Sequence, residues 1–202
     1  MPSGCGRTSI TSEDLVRLIA DPEPFLAVDD PEMRRLAVSV CSVSPSQHVA
    51  VLSRLAIEDA DAMVRAMAVE GLGHGGEAAL PTLTVAADDE DGSVREAVAT
   101  AYGELGDPVA VDWLLERARD DDDRLVREAA VAALGAIGDD RAVPVLLELV
   151  ADGPPRVRRR AVVALTVFDD PAIEPAIRQA AADRNPGVRE AAEMVVGRAV
   201  DQ

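Results

Sequence analysis

The sequence predicts an all-α solenoid of about six helix-pair repeats, which corresponds to about twelve helices. The first observation is a recurring dipeptide, an apolar residue followed by arginine, with the arginine at Arg34, Arg65, Arg95, Arg127, Arg158 and Arg189. The second is the spacing of these arginines, which is 31, 30, 32, 31 and 31 residues. The third is a largely apolar stripe at positions −1, +3 and +7 from each arginine, which share one face of a helix. A fixed period of this length is typical of stacked repeats.

Each repeat is predicted to contain two helices, the second of which carries the arginine. We expect a single domain over 1–202, with repeats at about 11–43, 44–74, 75–105, 106–137, 138–168 and 169–200. The helix pairs are expected at roughly 12–20 with 31–43, 46–57 with 61–73, 77–87 with 92–104, 108–119 with 124–136, 141–151 with 155–167, and 171–182 with 186–199. Residues 1–10 are predicted to be a flexible N-terminus.

Aspartates precede the arginine helices at two positions. Six residues before the arginine, copies two to six carry Asp59, Asp89, Asp121, Asp152 and Asp183. Four residues before it, the acids that favour a helix N-terminus are Asp30, Asp61, Asp91 and Asp123. We expect each arginine to reach the aspartate of an adjacent copy. Eight residues after the arginine, glycines are predicted to form left-handed helix C-caps at Gly73, Gly103 and Gly135.

These residues resemble HEAT repeats, in particular the short HEAT-like repeats associated with phycobilin lyases. The pattern of that family is an aspartate, then Val-Arg, then an alanine-rich helix that ends in Leu-Gly, and residues 121–152 match it almost throughout. The resemblance covers about residues 11–200. It implies a right-handed solenoid whose arginine helices line the concave face, with aspartate and arginine forming a ladder between neighbouring repeats.

Composition excludes several classes of function. The formal charge is −17, from 20 basic and 37 acidic residues, and such a surface repels nucleic acid and anionic membranes. Cys5 and Cys41 are too few for a disulfide scaffold or a four-thiolate metal site. The sequence has no run of 18 apolar residues, and its start lacks the pattern of a signal peptide. We therefore expect a soluble cytoplasmic protein that takes no cofactor, metal, nucleic acid or membrane as a partner.

Several local motifs have structural explanations. The glycines of residues 71–76 read G-x-G-x-x-G, but they follow a helix rather than a strand, so no dinucleotide site is expected. His74 in the same segment is interpreted as a solvated loop histidine. Acid clusters such as residues 120–123 lack the alternating spacing of a calcium loop and are interpreted as helix caps and turns. Trp113 and Tyr102 fall in apolar columns and are predicted to be core residues, so no stacking platform for single-stranded nucleic acid is expected.

Charge is distributed unevenly along the chain. Residues 1–152 contain 12 arginines and 30 acids, whereas residues 153–202 contain 8 arginines and 7 acids. Arg156, Arg159 and Arg160 lie in this second part, and nothing in the repeat pattern requires them. They are interpreted either as an anchor for a carboxylate or phosphate of a partner, or as charge that neutralises nearby acids.

The arginine helices place further candidates on the concave face. One residue after each arginine, at position +1, some repeats have a glutamate and others an arginine. Five residues after it, at position +5, the residues become more apolar toward the C-terminal end. An apolar patch with a charged rim is typical of protein-binding surfaces. We therefore predict a non-catalytic scaffold or adaptor that binds another protein through Arg156, Arg159, Arg160, Glu96, Glu128, Glu190, Val163 and Met194.

The alternative is a small HEAT-like enzyme or enzyme subunit, of the bilin-lyase or DNA-repair type. Such an enzyme needs a charged side chain buried in a concave pocket, which a scaffold does not need. No catalytic residue is predicted for either activity. The acidity also suits a salt-rich cytosol, in which case it says little about partners. The chain is expected to be a monomer.

Overall fold

The computed structural model describes residues 11–200, and side chains as far as residue 197. The prediction for residues 1–10 lies outside this range. Within the described residues the chain forms twelve α-helices and no strand, which confirms the all-α prediction. The odd-numbered helices are α1 (Ser12–Ala20), α3 (Pro45–Glu58), α5 (Leu80–Ala86), α7 (Val111–Asp120), α9 (Val143–Asp152) and α11 (Ile173–Ala180). The even-numbered helices are α2 (Pro31–Cys41), α4 (Ala62–Gly73), α6 (Gly92–Leu105), α8 (Arg124–Ile137), α10 (Pro155–Ala164) and α12 (Pro186–Val200).

The helices form two layers. Each even helix packs on the next even helix, from α2 through α12, and the preceding odd helix packs against it. The odd helices contact one another in the second layer, as α3 with α5, α7 with α9, and α9 with α11. Short 3₁₀ segments occur between helices at Glu23–Ala27, Gly76–Ala79, Pro108–Ala110, Asp140–Ala142 and Leu165–Val167. The result is an all-α solenoid whose predicted helix pairs are confirmed to within a few residues.

The core lies between the two layers and follows the predicted columns. Position −1 is fully buried at Val64, Val94, Val126, Val157 and Val188. Position +3 is fully buried at Ala37, Ala68, Val98, Ala130, Ala161 and Ala192. Position +7 is fully buried at Cys41, Leu72, Leu134 and Leu165, and nearly so at Tyr102. Burial of one such leucine stabilises the fold by about 1.5–3 kcal/mol, so stability is spread over the repeats.

Aspartates cap four of the even helices as predicted. The carboxylates of Asp30, Asp61, Asp91 and Asp123 each accept a backbone N–H from the first turn of their helix, over 2.7–3.1 Å. Asn185 does the same for α12, where the N–H of Gly187 donates to it over 3.0 Å. The N-cap of α10 is Pro154, and no side chain caps that helix.

The predicted C-caps at Gly73, Gly103 and Gly135 are wrong, because each of these glycines lies inside a helix. Helices α6 and α8 continue for a further two residues and end at glycines with a left-handed backbone. These caps are Gly106 with a φ of 67° and Gly138 with a φ of 70°. The left-handed caps of α6 and α8 therefore lie three residues beyond the predicted glycines, whereas α4 ends at Gly73 with His74 as its C-cap.

The helical glycines serve a different purpose, which is close approach of one even helix to the next. A Cβ on Gly103 would lie 3.0 Å from the Cα of Ala133 on α8. A Cβ on Gly135 would lie 2.9 Å from the Cα of Ala164 on α10. Any side chain at these positions would push the repeats apart, so glycine sets the distance between neighbouring even helices.

Candidate functional site

An arginine–aspartate ladder joins successive repeats at four of the five boundaries. In each rung the arginine of an even helix donates from Nε and Nη2 to the two carboxylate oxygens of an aspartate in the following repeat, over 2.7–3.0 Å. Two parallel charge-assisted bonds of this kind are strong and fix orientation. The four rungs are Arg34–Asp59, Arg65–Asp89, Arg95–Asp121 and Arg158–Asp183. The predicted ladder is confirmed at these boundaries.

The rungs are also tied to the backbone. The third guanidinium nitrogen of Arg95, Nη1, donates to the carbonyl oxygen of Asp89 over 3.0 Å. The rung carboxylate of Asp121 accepts the backbone N–H of Asp123 over 2.9 Å. The side chain of Asp121 has no exposed surface, and that of Arg95 is 12% exposed. A rung therefore holds the loop before one helix against the start of the helix in the preceding repeat.

The rung carboxylates are kept ionised by these contacts. Burial by itself raises the pKa of Asp59, Asp89 and Asp121, but the hydrogen bonds from the rung arginine and from a backbone N–H outweigh it. For Asp183 the hydrogen bond from Arg158 is the largest cause. The pKa of each of these four carboxyl groups is therefore below its ordinary value of 3.8.

The rung predicted between Arg127 and Asp152 does not form. Asp152 is the last residue of α9 and is exposed to solvent. The C-cap of α9 is instead Gly153, whose N–H donates to the carbonyl of Leu149. Asp59 and Asp121 stand at the equivalent C-caps of α3 and α7.

Proline explains this difference. The other rung carboxylates accept the N–H of the residue two positions later, at Asp61, Asp91, Asp123 and Asn185. Two positions after Asp152 stands Pro154, which has no N–H to donate. Arg127 donates from Nη1 to the carbonyl of Asp121, as in the other repeats, but its Nε is buried and has no hydrogen-bond partner.

The exposed side of the even helices, which we call the inner face, carries the predicted +5 column. Its members are all exposed, at Ser39, Glu70, Thr100, Ala132, Val163 and Met194. Val163 is 51% exposed and Met194 is 53% exposed. The column becomes apolar toward the C-terminal repeats, as the sequence predicts.

A cavity of about 380 Å³ lies where α6, α8 and α10 meet. Its walls include three of the predicted site residues, one from each helix: Glu96, Glu128 and Arg160. Small residues form much of the remaining surface, at Gly103, Ala129, Ala132, Ala133 and Ala136. The order of the helices places the two acids toward the third repeat and the arginine toward the fifth.

The two acids of this cavity are only partly exposed. Burial raises the pKa of Glu96, and the neighbouring Asp123, Glu70 and Glu128 raise it further. The side chain of Glu128 is 12% exposed, and its Oε1 is buried without a hydrogen bond. The shortest approach of a cation to Oε1 is 3.6 Å, from the Nε of Arg124.

The arginine cluster, Arg156, Arg159 and Arg160, lies beside the cavity, and its three members make different contacts. Arg156, Arg159 and Arg160 are all exposed. Arg156 approaches Oε2 of Glu128 to 3.9 Å, and Arg160 lines the cavity. Arg159 is not among the lining residues. The structure thus brings together Glu96, Glu128, Arg156 and Arg160 of the predicted set.

The other predicted residues lie outside the cavity. Glu190, Val163 and Met194 are exposed on α12 and α10, in the C-terminal repeats. The open guanidinium of Arg127 was missed by the sequence analysis. The sequence signal for it is the pair Gly153 and Pro154, which replaces the usual acid and N–H donor.

The remaining sequence motifs add no second site. Tyr102 is 4% exposed and packs edge to face on Trp113 at 5.8 Å, so both belong to the core or its margin. His74 is an exposed loop residue, 3.6 Å from Glu104. No group of His, Cys, Asp and Glu among residues 11–200 is placed to hold a metal ion. In the same range, no helix has the length and apolar character needed to cross a membrane.

The sequence profile described as HEAT repeats matches residues 49–135, 120–166 and 143–200. No curated protein matches the chain. Together the matched segments span most of the solenoid, from α3 to α12.

Three solved structures share this architecture. YibA of Escherichia coli aligns with a TM-score of 0.69 at 18% identity, over 100% of this chain and 78% of its own. The complex of CpcE and CpcF of phycocyanin lyase from Nostoc sp. aligns with a TM-score of 0.63 at 23% identity, over 74% of this chain and 98% of that one. A computationally designed armadillo repeat protein for modular peptide recognition aligns with a TM-score of 0.55 at 17% identity, over 94% and 95%. At these identities the similarity shows the fold alone.

Proposed function

The chain belongs to the HEAT-repeat family, and from that premise we propose that it is a non-catalytic scaffold that binds another protein on its inner face. It acts as a cytoplasmic monomer in this proposal. The observation that carries the proposal is the cavity between α6, α8 and α10, which combines small apolar residues with Glu96 and Glu128 on one side and Arg160 on the other.

Charge and shape have separate roles in this interaction. The two acids and the arginines give the inner face a negative and a positive region, which together select the orientation of a partner and steer its encounter. The small residues leave room for a partner side chain against the helices. Val163 and Met194 extend the apolar surface toward the last repeat.

Protein capture tests the proposal. The immobilised chain is incubated with lysate of the source organism and compared with a variant carrying Arg156→Glu, Arg159→Glu and Arg160→Glu. The matched control carries Arg119→Glu, Arg141→Glu and Arg178→Glu, three exposed arginines outside the even helices, with the same change in net charge. Both variants are first shown to melt within about 3 °C of the wild type.

The proposal requires that specific proteins are retained by the wild type and the control and lost by the cluster variant. Equal loss from both variants indicates a general effect of charge and contradicts a site on the inner face. The absence of any specific partner from all three chains contradicts the scaffold role.

A second candidate, an enzyme, is favoured by one observation. Glu128 is largely buried in the cavity and Glu96 has a raised pKa because of burial and neighbouring acids, which are properties of general acids. A lyase of the bilin-attaching kind is tested by incubating the chain with bilin and apo-phycocyanin and measuring covalently attached chromophore. Attachment that is lost in Glu96→Gln and Glu128→Gln supports this candidate over the scaffold.

A further inference from the structure

We propose that Arg127 receives a carboxylate from an acidic segment of the partner protein, in the position that an aspartate of the chain itself occupies in the other rungs. This inference rests on the proposed function, because it assigns the chemistry of the partner that the inner face binds. It depends on the one ladder position between α8 and α10 at which no aspartate is present.

The four complete rungs show how a carboxylate is held at this position. The arginine uses Nη1 to bind the backbone and presents Nε and Nη2 to the two oxygens of the acid, over 2.7–3.0 Å. Arg127 makes the same Nη1 contact, to the carbonyl of Asp121, so its guanidinium is fixed in the same way. The Nη1 contact therefore anchors this guanidinium to the backbone before any ligand arrives.

The two remaining donors of Arg127 lack an acceptor. Its Nε is buried and makes no hydrogen bond. A buried N–H without an acceptor carries a desolvation penalty, so most such groups in proteins are paired. Nη2 also makes no hydrogen bond, and it is not fully buried. A carboxylate can approach through Nη2.

No residue of the neighbouring turn fills the position. Gly153 stands where Asp59 and Asp121 stand in their repeats, at a helix C-cap with an extended backbone. Its φ of −66° is close to the values of −68° and −59° at those two aspartates. Asp152 lies one residue earlier, in the helix, and is exposed.

The part of the chain that begins at this boundary is its least acidic part. Arg156, Arg159 and Arg160 are exposed on the next even helix, and residues 153–202 contain 8 arginines against 7 acids. The rest of the chain, residues 1–152, contains 12 arginines against 30 acids. An acidic segment is therefore repelled less by the C-terminal part of the chain than by the rest, which favours its encounter with the boundary between α8 and α10.

The test uses a ligand built into the chain and a defined external probe. Gly153→Asp places a carboxylate at the C-cap, where it can bind Arg127 as the rung aspartates bind their arginines. Gly153→Asn adds a side chain of the same size without charge. A Cβ at Gly153 would lie 2.6 Å from the carbonyl oxygen of Leu149, and both variants share this cost. Asp59 and Asp121 carry a Cβ at the equivalent C-cap with a ψ of 136°, compared with 166° at Gly153, so both variants require a backbone rotation of about 30° at this residue.

The external probe is a fluorescein-labelled hexaglutamate peptide, with hexaglutamine as the uncharged control, followed by fluorescence polarisation at low ionic strength. We expect the wild type and Gly153→Asn to bind hexaglutamate with affinities within about threefold of each other. Gly153→Asp and Arg127→Gln should each weaken binding at least tenfold. Equal affinity of Gly153→Asp and Gly153→Asn overturns the proposal, and so does a failure of the wild type to prefer hexaglutamate over hexaglutamine.

Competition separates a protein carboxylate from a free anion. If inorganic phosphate displaces hexaglutamate at concentrations comparable to those of the unlabelled peptide, the position is a general anion site and the assignment to an acidic protein segment is overturned. Thermal melting gives an independent readout. Gly153→Asp should melt above Gly153→Asn, and this difference should vanish when Arg127→Gln is added to both. A persistent difference contradicts occupancy of Arg127.

The experiments distinguish failure of the scaffold role from failure of the role of Arg127. Capture of the same lysate protein by the wild type and by Gly153→Asp keeps the scaffold role and overturns the role of Arg127. Absence of any partner contradicts the scaffold role, and the hexaglutamate titration then decides the carboxylate site by itself.

Discussion

Arg95 and Asp121 are joined across the boundary between the third and fourth repeats by two hydrogen bonds, of 3.0 Å from Nε and 2.9 Å from Nη2. The same contact recurs at three other boundaries and is missing between α8 and α10, where the cavity and the arginine cluster also lie. The ladder therefore has a structural role along most of the solenoid. At one boundary its arginine is free for another purpose.

Two aspartates from the same sequence column should differ sharply in their effect on stability. Asp121→Ala leaves Arg95 without its buried partner and should cost about 3 kcal/mol or more. For a chain of this size the melting temperature should fall by about 6 °C or more. Asp152→Ala removes an exposed side chain and should cost less than about 0.5 kcal/mol. Thermal melting by circular dichroism measures both, and equal shifts would contradict the assignment of the missing rung.

The ladder should make the protein sensitive to acid. The pKa of Asp121 in the folded state lies below 3.8, because the bonds from Arg95 and a backbone N–H outweigh burial. The unfolded chain therefore binds more protons as the pH falls, and the contribution of the rung is lost as the pH drops below about 4. Melting temperatures from pH 7 to pH 2.5 should show this loss. Asp121→Ala should lose less stability than the wild type over that interval, and a parallel loss in both chains would show that the rung is not the source of the acid sensitivity.

Glu96 should have the opposite effect on stability. Burial and three neighbouring acids raise its pKa above the ordinary 4.5, so its charge opposes folding at neutral pH. Glu96→Gln should raise the melting temperature at pH 7, and its advantage should shrink as the pH falls toward 4.5, where the wild type becomes protonated. Glu190→Gln changes an exposed acid at the same repeat position and serves as the control. An equal rise in both variants would show only a general charge effect.

Two helical glycines should respond in opposite directions to alanine. A Cβ at Gly135 would lie 2.9 Å from the Cα of Ala164, so Gly135→Ala should destabilise by about 1–3 kcal/mol through overpacking. A Cβ at Gly197 in α12 would meet no atom of the described residues within 4 Å, so Gly197→Ala should be neutral or stabilising by up to about 1 kcal/mol through helix propensity. Chemical denaturation measures both changes. Stabilisation by Gly135→Ala would show that the helices can separate at no cost.

The repeat pattern predicted the architecture because every repeat uses the same contacts. The columns at −1, +3 and +7 are buried except at Met33 and Val196, which are partly exposed, and the aspartate caps of α2, α4, α6 and α8 form where the spacing places them. Such regularity follows from stacking, since each helix must present one face to its partner and another to its neighbours.

Predictions from residue spacing are wrong where individual residues depart from the repeat pattern. Counting back from Arg158 reaches Asp152, but α9 continues through Asp152 and its C-cap is Gly153, so no acid stands at the cap. Glycine is equally suited to a left-handed cap and to a close helix contact, so Gly135 was assigned the role that Gly138 performs. The cavity depends on three side chains from three repeats, and no single helix pattern could place it.

Site-specific crosslinking tests directly whether the inner face binds a partner protein. A photoreactive p-benzoylphenylalanine is placed at Ala132, in the wall of the cavity, or at Glu116, an exposed residue of α7 in the outer layer. We expect a discrete crosslinked protein from the first position, absent from the second and absent when the arginine cluster is reversed to glutamate. Crosslinks from Glu116 alone, or none from Ala132 in cell lysate, would contradict it.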